Sequence, residues 1–130
     1  MQLIDKELLD SVGQQAKDSS RLRMNYNFHE TPDAPVQKLL NALELGTVLP
    51  VHRHCHTSET YILLRGKLKV MIYSEQKELL DSIVLDPLEG CYGVDIKAGE
   101  WHAIEVLESG TTIFEVKDGP YTPLVEEDIL

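Results

Sequence analysis

A chain of 130 residues, 42% apolar and 26% charged, is long enough for one packed domain and too balanced in composition to be disordered. Twelve Lys and Arg against 22 Asp and Glu give a net charge of -10, which repels a phosphate polymer and argues against nucleic acid as a partner. No apolar stretch reaches the roughly 18 residues that a membrane span needs, and the acidic start Met1-Gln2-Leu3-Ile4-Asp5-Lys6-Glu7 is unlike a secretory signal. Two cysteines, Cys55 and Cys91, are too few for a disulfide framework, so a reduced, cytoplasmic setting is expected.

Residues 5–18 predict one short helix, with Leu8, Val12 and Ala16 at near-helical spacing, Leu9 beside them and Asp5 placed to cap the start. Residues 21–29 alternate as a strand does. Arg21, Arg23, Asn25, Asn27 and His29 fall on one side, and Leu22, Met24, Tyr26 and Phe28 on the other. The apolar side needs a core. The polar side is either a solvated face or the wall of a pocket where Arg clamps a carboxylate or phosphate. Thr31-Pro32-Asp33-Ala34-Pro35 is a loop, because Pro cannot serve a central strand. Short strands are then expected at 36–44, 48–54, 60–64, 67–73, 79–85, 93–96, 102–107 and 111–117. Leu45-Gly46, Arg65-Gly66, Ala98-Gly99 and Ser109-Gly110 mark turns between several of them. This is the pattern of an all-β sandwich or barrel with a helix outside. The expected organisation is a helix over 1–20 packed on the barrel, a single domain over 21–125 and an exposed acidic tail over 126–130.

The chemistry concentrates between Gly46 and Gly66. His52 and His54, two apart on an expected strand, point to one face, and Glu59 opens the next strand after a short turn. Two imidazoles and a carboxylate converging on one point suit a divalent first-row metal. The tight turn Lys97-Ala98-Gly99-Glu100 leads to His102, which a partner strand across a barrel can deliver as a fourth ligand. His56 continues the alternation but falls where the strand should end, which suggests a place at the rim. Cys55 points away from the histidines, and Trp101 alternates away from His102 and is expected to pack. Tyr61 shares a face with Glu59 and Leu63 and either fills the barrel or reaches a substrate. Glu115 and Lys117 share one face of the last strand. Turned outward they are surface charges, and turned inward they put a general acid or base near the metal.

The series Gly46, His52, His54, Glu59, Gly66 resembles the first sequence motif of the cupins, with every fixed position filled. Gly99 and His102 match the second motif, while Lys97 stands where proline is usual, Val106 where asparagine is usual, and Cys91 at the opening glycine. A narrower resemblance is to the WbuC family of small cupin metalloproteins. It rests on Arg21, Arg23, Asn25 and His29, on Gln37-Lys38-Leu39-Leu40, on His52-Arg53-His54 and Trp101-His102, and on residues 114–121. The resemblance implies a double-stranded β-helix, or jelly-roll barrel. It implies metal ligands His52, His54, Glu59 and His102 holding one Fe, Mn, Ni, Co or Zn ion, and a homodimer. It also implies a setting in bacterial O-antigen and polysaccharide metabolism.

The expected function is that of a metal-dependent enzyme, of dioxygenase or isomerase and epimerase type, acting on a small anionic or carbohydrate-related metabolite. Glu115, Tyr61 and Lys117 are its catalytic candidates, and Arg21, Arg23, Asn25, His29 and His56 its substrate contacts. The alternative is a metal-dependent sugar-binding module without turnover.

Overall fold

The computed structural model describes residues 1–130. It has one helix, α1 (Lys6–Asp18), and eight strands: β1 (Arg23–Asn27), β2 (Val36–Leu43), β3 (Glu59–Arg65), β4 (Leu68–Tyr73), β5 (Leu79–Leu85), β6 (Gly93–Ile96), β7 (Trp101–Val106) and β8 (Thr111–Asp118). Two antiparallel sheets form, ordered β1-β2-β8-β3-β6 and β5-β4-β7. Between them lies a core of Leu43, Tyr61, Leu63, Leu68, Val70, Leu85, Ile96, Val106 and Ile113. This is the double-sheet β-barrel that the strand pattern predicted, with the helix outside.

Alternation along β2 serves two layers at once. Leu39 and Leu43 face the barrel interior, whereas Ala42 packs outward under Val12 and Ala16 of α1, with Met24 and Tyr26 of β1 beside them. Leu9, Val12 and Ala16 are the buried residues of α1, and its start is capped as the sequence suggested: the Asp5 carboxylate accepts the Leu8 N–H at 3.0 Å. Asp5→Ala is expected to cost about 1 kcal/mol, read as a lower urea midpoint with an unchanged slope.

Two expected strands differ. Arg21 lies outside β1 because Leu22 takes the left-handed conformation (φ 57) and turns the chain before the ladder begins. Residues 48–54 belong to no named strand. Pro50 has no N–H to give a ladder, and only His52 pairs, exchanging two backbone bonds with His102 at 3.0 and 2.8 Å. The other side of the segment is held by the C-terminal residues. Arg53 N–H donates to the Asp128 carbonyl at 3.0 Å, and Leu130 N–H donates to the Val51 carbonyl at 2.8 Å. The Arg53 guanidinium also meets the Asp128 carboxylate at 3.1 Å. Residues 126–130, though largely exposed, therefore act as a strap across the segment that carries His52 and His54. No helix is long and apolar enough to cross a membrane.

The turns around the barrel explain two glycines. Gly66, between β3 and β4, has φ +89, and a side chain there would run into Thr111. Gly99, before β7, has φ +84, and its N–H donates to the carbonyl of His54 at 2.9 Å. The turn ahead of His102 thereby fixes the backbone of His54 as well.

Candidate metal centre

His102 arrives on β7, Glu59 opens β3, and His52 and His54 come from the strapped segment between β2 and β3. A ring nitrogen from each of the three imidazoles lies within 4.8 Å of the other two. Glu59, 3% exposed, touches this cluster: its Oε1 is 3.1 Å from His54 Nε2, and its Oε2 is 3.3 Å from His102 Nε2.

The tautomers are set from behind. His52 Nδ1 is 2.9 Å from the carbonyl of Pro50, and His102 Nδ1 is 2.9 Å from the carbonyl of Glu100. A carbonyl only accepts, so each Nδ1 carries the hydrogen and each Nε2 keeps a lone pair for the centre. The Nε2 of His102 is buried and has no hydrogen-bond partner, although a carboxylate oxygen is beside it. An orphaned nitrogen and an anionic oxygen at that distance need something positive between them. The residues fit a divalent cation, with backbone carbonyls orienting the imidazoles as metal-bound histidines require.

The charges agree. Burial pushes the His52 pKa down to about 4, aided by the neighbouring His102, so this imidazole is neutral at physiological pH. Burial opposes ionisation of Glu59, but the imidazoles of His102 and His54 against its two oxygens, with Lys117 nearby, outweigh it and hold the carboxyl well below the ordinary range. Lys117 Nζ is 3.6 Å from Glu59 Oε1. Tyr61 donates its hydroxyl to Glu59 Oε2 at 2.8 Å, and burial followed by the charges of Glu115 and Glu59 raises the phenol pKa well above its ordinary value. Tyr61 therefore positions the Glu59 carboxylate.

A cavity of about 260 Å³ opens over the cluster, bordered by His52, His54, Glu59, Tyr61, Glu115 and Lys117, and also by Arg21, Asn25 and Asn41. Glu115 and Lys117 thus face the barrel interior, on the same side of β8 as Ile113, and Glu115 is 7% exposed. Burial raises the Glu115 pKa, and the Glu59 charge raises it further. Asn41 donates its amide to Glu115 Oε1 at 3.0 Å. His29 lines an adjoining cavity. Arg23 and His56 are brought to neither. The Arg23 guanidinium turns to the Val48 carbonyl at 3.4 Å, and His56 lies with Arg53 and Cys55 in a third depression that meets the metal cavity at His54, Thr122 and Leu124. Cys55 is exposed and donates to the Asp128 carboxylate, and Trp101 is buried under the Arg53 guanidinium, 4.4 Å from the ring centre.

Sequence reading missed Asn41 and the cavity residues Tyr121, Thr122 and Leu124. Asn41 had a signal: it alternates with Leu39 and Leu43, so it had to face inward beside them. The other three come from the stretch leading into the strap, whose path no local pattern announces.

A helix-flanked antiparallel barrel with three converging imidazoles defines the class as a cupin fold carrying a candidate metal site. Comparison with solved structures agrees on the fold. The chain is similar to the capsular polysaccharide assembling protein CapF from Staphylococcus aureus, with a TM-score of 0.64 and 21% identity over 81% of this chain and 30% of CapF. It is similar to the protein TT1209 from Thermus thermophilus, with a TM-score of 0.64 and 17% identity over 91% of this chain and 97% of the other. It is also similar to the Cnp3 cupin domain of Schizosaccharomyces pombe, with a TM-score of 0.59 and 10% identity over 74% and 60% of the two chains. The chain thus spans under a third of CapF's length. No curated protein matches in sequence. The family described as a domain of unknown function (DUF6016) matches residues 4–85, and the chain belongs to that family. His52, His54 and Glu59 fall inside the matched region, and His102, Glu115 and Lys117 beyond it.

Proposed function

We propose that this chain is a metal-dependent cupin enzyme of the WbuC type, acting on a small anionic, carbohydrate-related metabolite of bacterial surface-polysaccharide metabolism. The observation that carries the reading is the orphaned Nε2 of His102 facing the Glu59 carboxylate, with Nδ1 committed to the Glu100 carbonyl. His52, His54, His102 and Glu59 would hold one divalent ion of Fe, Mn, Ni, Co or Zn, a donor set of three nitrogens and one oxygen that leaves positions open. When bound, the ion supplies Lewis-acid polarisation of a substrate oxygen. Lys117 and Arg21 supply the positive charge that draws an anion into an otherwise acidic protein. Glu115, with Oε1 taken by Asn41 and its pKa raised by burial and then by the Glu59 charge, leaves Oε2 as the atom that would give or take a proton beside the metal. The likeness to a capsular polysaccharide assembling protein supports the metabolic setting. The apolar Leu80 and Ile83, left exposed on the edge strand β5, support a homodimer.

The test is metal content of protein purified without chelator or nickel affinity. About one divalent ion per chain is expected. Its absence, even after reconstitution with each candidate metal, would overturn the reading. Turnover of sugar acids or sugar phosphates by the loaded protein separates an enzyme from a binding module.

A further inference from the structure

Beside the metal cavity lies a second one of about 280 Å³, and the two share Asn25, Leu39, Lys117 and Tyr121. Its lining is chemically unusual for this protein. Asn25, Asn27, His29, Gln37 and Tyr121 bring amides, an imidazole and a phenol, and Lys117 at the junction is the one side chain with a full charge. No carboxylate borders it, although the chain carries 22 acidic residues.

Several of these groups are fixed with one polar atom left over. Gln37 is 2% exposed, and its Nε2 donates to the carbonyls of Pro32 and Ala34 at 3.0 and 3.2 Å. Two acceptors settle which end of the amide is nitrogen, so Oε1 is an acceptor with no protein donor. His29 Nδ1 lies 3.2 Å from the Lys38 N–H and 3.1 Å from its carbonyl, so in either tautomer Nε2 is the free atom. Next to the junction, the Oδ1 of Asn41 is buried and unpaired. The cover is built as well. Tyr121 N–H donates to the Pro32 carbonyl at 2.7 Å, and a side chain at Gly119 would strike Ala34 and crowd Gln37.

Acceptors without donors, such as Asn41 Oδ1 and Gln37 Oε1, call for a ligand rich in O–H groups, which a simple anion lacks. Lys117 and the metal cluster call for negative charge. Resting on the function proposed above, we infer that the second cavity is a polyol subsite. The ligand is a single two-part molecule, a polyhydroxylated anion, with its charged group between Lys117 and the metal ligands and its hydroxyl-bearing ring among Asn25, Asn27, His29 and Gln37. An acidic sugar and a phosphorylated sugar share this chemistry.

Calorimetry on the metal-loaded protein tests it with glucuronate, galacturonate, glucose 6-phosphate, glucose, acetate and inorganic phosphate as probes. At least one sugar anion is expected to bind about ten times tighter, or more, than both its parts: the neutral sugar and the simple anion. Which arm responds distinguishes a carboxylate from a phosphate. In Asn27→Ala/His29→Ala, changed at the end of β1 and just beyond it, that advantage is expected to fall about tenfold, while acetate or phosphate binding and metal content stay as they were. If no sugar anion binds tighter than its parts, or the double variant keeps the full advantage, the subsite is overturned and the metal reading stands. A wild-type protein without metal overturns the reading on which it rests.

Discussion

In His102→Leu, metal binding is expected to weaken by about a hundredfold or more. Wild-type protein held at about a thousand times the dissociation constant should gain about 4 kcal/mol from its ion, and the variant should lose about 2.7 kcal/mol of that gain. The metal-free proteins should differ far less. The variant loses the hydrogen bond from Nδ1 to the Glu100 carbonyl, worth about 1 kcal/mol, but it also removes a buried nitrogen that has no partner, which returns a similar amount. A large effect with metal and a small one without it mark a residue kept for binding. Thermal unfolding with and without added ion reads both. An equal metal-induced shift in the two proteins would remove His102 from the ligand set.

The metal-free protein is expected to lose about 3 kcal/mol of stability between pH 6.5 and pH 4 through His52 alone. Its folded pKa is about 4 against an ordinary 6.5, and it is 8% exposed, so little screening applies. Above 6.5 both states hold it neutral. As pH falls from there, the unfolded chain takes up a proton that the folded one refuses until about 4, and unfolding gains. Glu59 acts in the same sense at lower pH. Its carboxyl is held below the ordinary range, so its contribution is present above the unfolded value and is lost as pH falls through the folded one. Glu115 has the opposite sign. Burial and then the Glu59 charge raise its pKa, so its contribution is present at acid pH and fades as pH rises through the folded value. Glu115→Gln should therefore match wild type in acid and exceed it near neutrality. Urea unfolding of the chelated proteins across this range checks both. A flat wild-type profile from 6.5 to 4 would refute the His52 claim, and a variant weaker than wild type at neutral pH would refute the one for Glu115.

Much of this was legible in the chain because alternation carries face as well as element. The spacing of Leu8, Val12 and Ala16 located α1, although Leu9 rather than Leu8 completes its buried stripe, and the strands from β2 to β8 fall within a residue or so of their expected bounds. The histidine and glutamate spacing pointed to a cluster that the fold does assemble from residues 52 to 102. What stayed hidden depends on partners distant in sequence. Residues 48–54 alternate like a strand, yet Pro50 and the strap leave them without a ladder. Glu115 and Lys117 had two possible faces, and the register of β8 against β2 and β3 decided for the interior. Arg23 sits on the expected side of β1 but finds a backbone carbonyl before it can reach the cavity.

The strap has a consequence for the order of events during synthesis. His52 and His54 leave the ribosome early, but the residues that grip their segment, His102 on one side and Asp128 and Leu130 on the other, come much later. Until Leu130 has emerged, the nascent chain holds two imidazoles on an untethered loop. A metal ion that meets the protein then finds free ligands in place of a formed site. On the metal reading proposed above, selective loading would wait for the strap to close, and ion choice would fall to the folded barrel.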